Sequence, residues 1–293
     1  MMKYVLSGLY LVLILSSCER NIDFNLKNAD PLLVVDAQIE NGKVPTVVLT
    51  KSLNYFSSIS TAILDSSFVH HAVVTMSNGT VTHPLKEYAL PLGGGYTGYY
   101  YGIDSSNIAT AFVGQFNKQY SLDIKSEGKE YTAKTTIPLL VKFPDSIWFK
   151  QAPLNPDSNK RVLMVRTTDP PGLGNYIRYF TKTNSDPFLP GANSVFDDSI
   201  IDGTTYEVQV DPGVDNNNPV SYDNNFFMKG DTVTLKICDI DKATYTFWNT
   251  WEFARQSIGN PFSQPGKVIG NISNNALGAF CGYAAWYGTV IAH

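Results

Sequence analysis

Along most of the chain, apolar and polar residues alternate in short runs. Leu33, Val35, Ala37 and Ile39 share one face, with Asp36, Gln38 and Glu40 on the other; this is the period of a half-buried strand. Thr46 to Thr50 is a second β-branched run. Ala72, Val74 and Met76 alternate up to Asn78-Gly79, and Thr80 to Leu85 returns. An Asn-Gly pair between such runs predicts a hairpin, because both residues accept a positive φ. Tyr120, Leu122 and Ile124 alternate with Ser121, Asp123 and Lys125; after a turn at 126–129, Tyr131, Ala133, Thr135 and Ile137 alternate up to Pro138. Alternation this regular predicts antiparallel sheet with one wet face. Short strands separated by turn signals predict a β-sandwich over residues 32–140.

Pro138 to Asp145 reads as a boundary, and residues 141–293 as a second β-rich domain. Ile147 to Lys150, Val162 to Thr168 and Tyr176 to Lys182 read as strands, with Asp169-Pro170-Pro171-Gly172 turning between the last two. Tyr206, Val208 and Val210 alternate, as do Val233, Leu235 and Ile237. The period then changes. Asp239 to Gln256 has neither Gly nor Pro, and Tyr245, Trp248, Trp251 and Glu252 recur at helical spacing, which predicts one late helix near 241–256. Ala279 to Ile291 reads as a final strand pair or one long strand.

The N-terminus departs from this pattern. Lys3 is followed by an apolar run, Val5 to Leu15, too short to span a membrane as a mature helix. Leu15-Ser16-Ser17-Cys18 then resembles the lipobox of bacterial lipoproteins, in which the signal (here 1–17) is cut before the cysteine and Cys18 is acylated. Each buried methylene adds about 0.8 kcal/mol, so several acyl chains anchor a protein firmly. Residues 18–31 read as a polar tether ending near Pro31. Glu19 directly after the cysteine points weakly to surface export, because Arg20 interrupts any acidic run. The expected location is the outer membrane, with the facing side open.

A set of features spread over the whole mature chain resembles a Bacteroidota lipoprotein family known as domain of unknown function number 4249. They are the Cys18 lipobox, Leu32-Leu33-Val34-Val35-Asp36, Tyr120 to Ile124, Tyr131 to Pro138, Asp231 to Lys236, Asn260-Pro-Phe-Ser, Asn271-Ile and Leu277-Gly-Ala-Phe280. Order and spacing carry the likeness. Asn274-Asn275 departs from it, since relatives tend to have Gly pairs there. The resemblance implies a lipoprotein often encoded beside a TonB-dependent outer-membrane transporter, with no settled activity. The first domain also resembles Ig/transthyretin-like or fibronectin-like sandwiches, and fold analogy of that kind gives no function.

Composition narrows the partners. Only 16% of the 293 residues are charged and the net charge is -4, which argues against nucleic acid, a partner that needs a basic patch. His70 and His71, if on one strand, point to opposite faces, and pairing either with His83 across the hairpin gives at most two ligands, short of a zinc site. These histidines and His293 read as solvent-exposed. Asp211 to Asn217 places oxygen ligands at odd spacing, but Gly213 holds the third position and Tyr222 stands where an EF-hand needs Glu; a polar turn explains the same residues. Neither Gly-x-Ser-x-Gly nor His-Glu-x-x-His occurs, and Gly93-Gly94-Gly95 precedes no helix. No cofactor and no catalytic residue is predicted.

Cys238, on the polar phase of its strand opposite Val233, Leu235 and Ile237, and Cys281 face an oxidising envelope, where a bridge or two separate thiols are equally open. Tyr96, Tyr99, Tyr100, Tyr101, Trp248, Trp251 and Trp286 read as core or rim before ligand anchors. The sequence thus predicts a non-enzymatic lipoprotein held to the membrane through its N-terminal lipid. An accessory or binding role beside a TonB-dependent transporter comes first, with an unknown ligand. A structural or adhesive surface protein is the alternative, and an envelope hydrolase the third reading.

Overall fold

A computed structural model describes residues 30–53, 60–93, 95–215, 225–258 and 266–293. The expected signal and Cys18, the residue expected to carry lipid, lie outside them, as do residues 216–224 of the calcium-like loop. Pro31–His293 forms one compact unit. The chain is mainly β, with one long helix late in the sequence.

Its first half contains β1 (Leu33–Glu40), β2 (Thr46–Lys51), α1 (Thr61–Ser67), β3 (Val73–Ser77), β4 (Thr82–Gly93), β5 (Tyr96–Ile103), β6 (Lys118–Ser126) and β7 (Lys129–Ile137). The second contains β8 (Pro144–Gln151), β9 (Lys160–Thr168), β10 (Tyr176–Thr183), β11 (Leu189–Asp197), β12 (Thr205–Val210) and β13 (Phe227–Met228). β14 (Thr232–Ile240), α2 (Lys242–Gln256) and β15 (Leu277–Ile291) complete it. The helix predicted near 241–256 spans Lys242–Gln256, directly after β14 ends at Ile240; Asp241 is its N-cap, accepting from the Thr244 amide at 2.8 Å.

Eleven strands form one sheet in the order β11-β10-β14-β15-β1-β2-β5-β4-β3-β6-β7, and β8, β9, β12 and β13 form a smaller one. The two halves read from the sequence share the large sheet through β15, which pairs antiparallel with β14 and parallel with β1. That parallel pair is a departure from the all-antiparallel expectation. Alternation within β1 reports which face is buried but is silent on which strand lies beside it.

Three buried clusters follow from the two-residue period. Val35, Ala37 and Ile39 of β1 meet Val47, Leu49, Tyr120, Leu122, Ile124 and Phe280 in the first. The opposite faces of β14 feed the other two. Val233, Leu235 and Ile237 pack on Leu163 and Val165 of the small sheet, whereas Cys238 and Ile240 pack under Phe247 of α2. The helix thus buries the supposedly polar phase of β14, which is why Cys238 is fully buried.

Turn chemistry matched its signals unevenly. Ser126 pairs with Lys129 around Glu127 (φ 50°) and Gly128 (φ 74°), a tight two-residue turn. The Asn78-Gly79 turn is longer, closing at Ser77↔Thr82; Gly79 takes φ 85°, and the Asn78 Oδ1 accepts from the Thr80 and Val81 amides at 2.9 and 3.0 Å. At the other end of the large sheet β7 lies against β15. A Cβ on Gly282 would sit 2.6 Å from the Thr136 carbonyl oxygen. Gly282→Ala should therefore cost about 1–3 kcal/mol of unfolding free energy, measured in urea; a neutral result would mean that the two strands are not in close contact.

Candidate functional site

Helix α2 is tied to the sheet by a buried polar network. Glu252 falls on the aromatic face that the sequence pattern picked out, seven residues after Tyr245. Its carboxylate accepts from the Ser194 amide at 3.1 and 3.0 Å and from the Ser194 hydroxyl at 2.5 Å. Arg178 Nε donates to that hydroxyl at 3.1 Å, and Arg178 Nη1 donates to Tyr283 at 3.0 Å. The guanidinium lies 3.4 Å from the Trp248 ring centre and 4.7 Å from that of Phe180. Burial raises the Glu252 carboxyl above its usual range, against the pull of Ser194. Removing one member leaves the opposite charge buried and uncompensated, so Arg178→Ala should lose about 3–5 kcal/mol in denaturant titration; a loss below about 1 kcal/mol would contradict this role.

Beside it, Glu40 of β1 takes the ammonium of Lys236 of β14 at 2.5 Å and that of Lys43 at 2.8 Å, and accepts from the Tyr287 hydroxyl. Trp248 and Trp251 pack in the core under α2, as the sequence reading had it. Cys238 and Cys281 are free, buried thiols, each pushed up to about 12 by burial. Such thiols are inert rather than nucleophilic.

Among the described residues, Asp169, Asp198 and Asp202 bring carboxylate oxygens within 4.8 Å of one another. Sequence spacing hid them, because Asp169 stands in the β9–β10 turn and Asp198 and Asp202 in the β11–β12 loop, which meet only in the fold. Their partners explain them without an ion. Asp169 is ion-paired with the buried Lys142 ammonium. Asp198 accepts from the Gly174 and Asn175 amides at 2.9 Å each, and Asp202 from the Gly172 amide at 2.6 Å. Burial opposes ionisation of Asp198, but those amides hold its carboxyl below the usual range. The Asp169-Pro-Pro-Gly turn is thus clamped by acid side chains. Of the calcium-like loop, Asp211 accepts from Gln209 at 3.0 Å.

Close by, Asp239 Oδ2 accepts from the Val141 and Lys142 amides at 2.6 and 3.0 Å, while its Oδ1 is buried without a hydrogen bond. Burial pushes its carboxyl up to about 6 from an ordinary 3.8, despite those amides and Lys142. The folded state therefore keeps a proton that the unfolded chain has released, and this part of the stability falls as pH rises from about 4 to about 6. Asp239→Asn removes the titration. Wild type should lose up to about 3 kcal/mol relative to the variant across that window and nothing further above pH ~7. Parallel melting curves for the two proteins would contradict the assignment.

The histidines divide. His83, expected at the surface, is completely buried: its Nε2 accepts from the Asp104 amide at 3.0 Å and its Nδ1 bonds Thr110 Oγ1 at 2.8 Å. Burial lowers its pKa, and with both nitrogens occupied it offers nothing to a metal. His70 is bonded to Glu87 and stands edge-on to Tyr99 at 4.5 Å. The Glu87 carboxylate also takes the His71 amide at 2.9 Å. His293 is exposed, and its carbonyl accepts from Arg161 at 2.6 Å.

Glu87 marks the foot of the hairpin formed by β4 and β5. β3 pairs with β4 only as far as Leu85, and β2 meets β5 only at Val47↔Tyr101. Beyond Glu87 the two strands have each other as ladder partners, from Tyr88↔Tyr100 to Gly93↔Tyr96. Residues 88–103 contain no charged side chain and no histidine. The outer face carries Tyr88 stacked on Tyr100 at 5.6 Å, then Leu90, Leu92 and Tyr96. Glycine gives this face its floor: a Cβ on Gly98 would meet the Leu92 side chain at 3.0 Å, and one on Gly102 the Tyr100 ring at 3.0 Å. Leu90 and Leu92 are 48% and 63% exposed, although both lie in strand. The tyrosine cluster was visible in the sequence, but the leucines were not picked out. The signal that would have found them is the charge-free run itself.

A groove of about 620 Å³ with a mixed lining lies where residues 271–273 run beside β6 and β7, with Asp123, Thr132, Lys134 and Asn271 beside Leu122 and Ile272. There the Ser273 amide donates to the Thr132 carbonyl at 2.9 Å and Asn271 Nδ2 to the Lys134 carbonyl at 3.1 Å, covering the edge of β7. Among the described residues no helix is long and apolar enough to cross a membrane.

The large sheet closed by its last strand, with a helix on one face and a small sheet on the other, defines a mainly β protein whose most open chemistry is an uncharged hairpin. The chain belongs to the family described as Domain of unknown function (DUF4249), whose profile matches residues 19–286. A search of curated proteins returned no match.

Proposed function

We propose that this protein is a non-enzymatic outer-membrane lipoprotein, acylated at Cys18, that acts as an accessory or binding component beside a TonB-dependent transporter. The observation that carries the reading is the N-terminal order of Lys3, the apolar run Val5 to Leu15, and Leu15-Ser16-Ser17-Cys18. A short apolar segment ending in small residues and a cysteine is built for cleavage and acylation rather than for spanning.

Two features of the folded part support binding over catalysis. Three of the acidic groups with shifted protonation, Glu252, Asp239 and Asp198, each accept from amides of the fold itself. The β4–β5 hairpin, in contrast, offers exposed apolar and aromatic area, the usual material of a contact surface.

A mild-detergent pull-down of the tagged protein from its native host, beside Cys18→Ala, tests the reading. A transporter recovered in near-equal amount, and lost with the cysteine, is the expected result. Reproducible recovery of the lipoprotein alone would instead favour a free-standing structural or adhesive surface protein.

A further inference from the structure

We propose that the outer end of the β4–β5 hairpin, centred on Leu90, Leu92 and Tyr96, enters the polar–apolar interface of a lipid bilayer. The inference rests on the reading that the chain is held at a membrane, and adds a second, non-covalent contact to it.

Three observations select lipid as the occupant. The end is uncharged on both faces and mostly apolar: Leu90, Leu92 and Tyr96 on the outer one, Ala89, Pro91 and Thr97 on the other. A protein groove covers one face of a ribbon, whereas a lipid surface surrounds its end. Polarity is also graded along the hairpin. Lys86 and Glu87 stand at the foot, with the Lys86 ammonium 6.0 Å from the Tyr88 ring centre. Tyr88, Tyr99 and Tyr100 follow, then Leu90 and Leu92, with the amphipathic ring of Tyr96 beside Gly93 in the outermost pair. A cation, then amphipathic rings, then aliphatic carbon is the order of layers from phosphate to acyl chain. Finally, among the described residues the outward edges of the two strands are unpaired beyond Leu85 and Tyr101. Bare amides and carbonyls are costly in hydrocarbon, so the hairpin stops at the interface and does not cross.

The test uses the intact protein in phosphatidylethanolamine–phosphatidylglycerol vesicles, with a polarity-sensitive probe on Leu92→Cys and, as control, on the fully exposed Leu154→Cys. Cys238 and Cys281 are buried and do not take the probe, and any label on an unacylated Cys18 is measured in the parent protein and subtracted. The expected result is a blue shift and quenching by bromolipid at 92 and neither at 154. Leu90→Asp should lower the quenchable fraction at 92 about tenfold or more, the effect of one leucine returned to water. Acylation is read separately, from the mass of the Cys18 peptide. An unacylated Cys18 with a quenched probe would overturn the anchor alone. A water-like probe at 92, with or without acylation, would overturn the proposal. So would a blue shift already present without vesicles, the mark of a second copy, or one appearing only with outer-membrane protein.

Discussion

The pairing of the last strand with the first is the constraint on which the rest of the structure depends. Seven residues of β1, Val34 to Glu40, lie in register beside Leu277 to Tyr283 of β15. The approach is close enough to dictate residue type. Gly278 takes φ 92°, and a Cβ there would fall 1.9 Å from the Val35 carbonyl oxygen. Because β15 continues into its ladder with β14, the strand carries the first half of the chain onto the second. Folding must then bring together segments at opposite ends of the chain, a long-range closure that slows the search but locks both halves once made.

Polar side chains reinforce the same seam. The Glu40–Lys236 pair bridges β1 and β14, and Asn41 both donates to the Ala285 carbonyl at 3.4 Å and accepts its amide at 2.6 Å. Asp241 caps α2 and also accepts the Thr136 amide of β7 at 2.7 Å. Asp239 holds the 141–142 connection between the halves. The segment that the sequence marks as a boundary is in this way pinned by Asp239 of β14, and the strand before it by Asp241. The helix then covers β14 and β15 through the Arg178–Ser194–Glu252 network.

How far the sequence foretold this depends on the range of the interaction. β6 and β7, their tight Glu127-Gly128 turn and the helix after Asp241 were legible, since each is set by residues within a few positions. The partners of β1 and β15 were not, because alternation specifies a face and not a neighbour. Cys238 was assigned to a polar phase for the same reason: the helix that buries it arrives from later in the chain. His83 looked like a surface histidine until Asp104 and Thr110 satisfied both its nitrogens. The hairpin was half legible. Its tyrosines were visible as a cluster, but the exposure of Leu90 and Leu92 follows from β3 and β2 ending early, which no local pattern announces.

The central claim is that β15 makes Pro31–His293 one cooperative unit. Native-state hydrogen exchange in low urea tests it most directly, comparing the slowest amides of β6 and β7 with those of β9 and β10. The account predicts a common opening free energy and a common urea dependence for both sets, equal to those of global unfolding. Two separate values, with one half exchanging freely while the other stays closed, would contradict it.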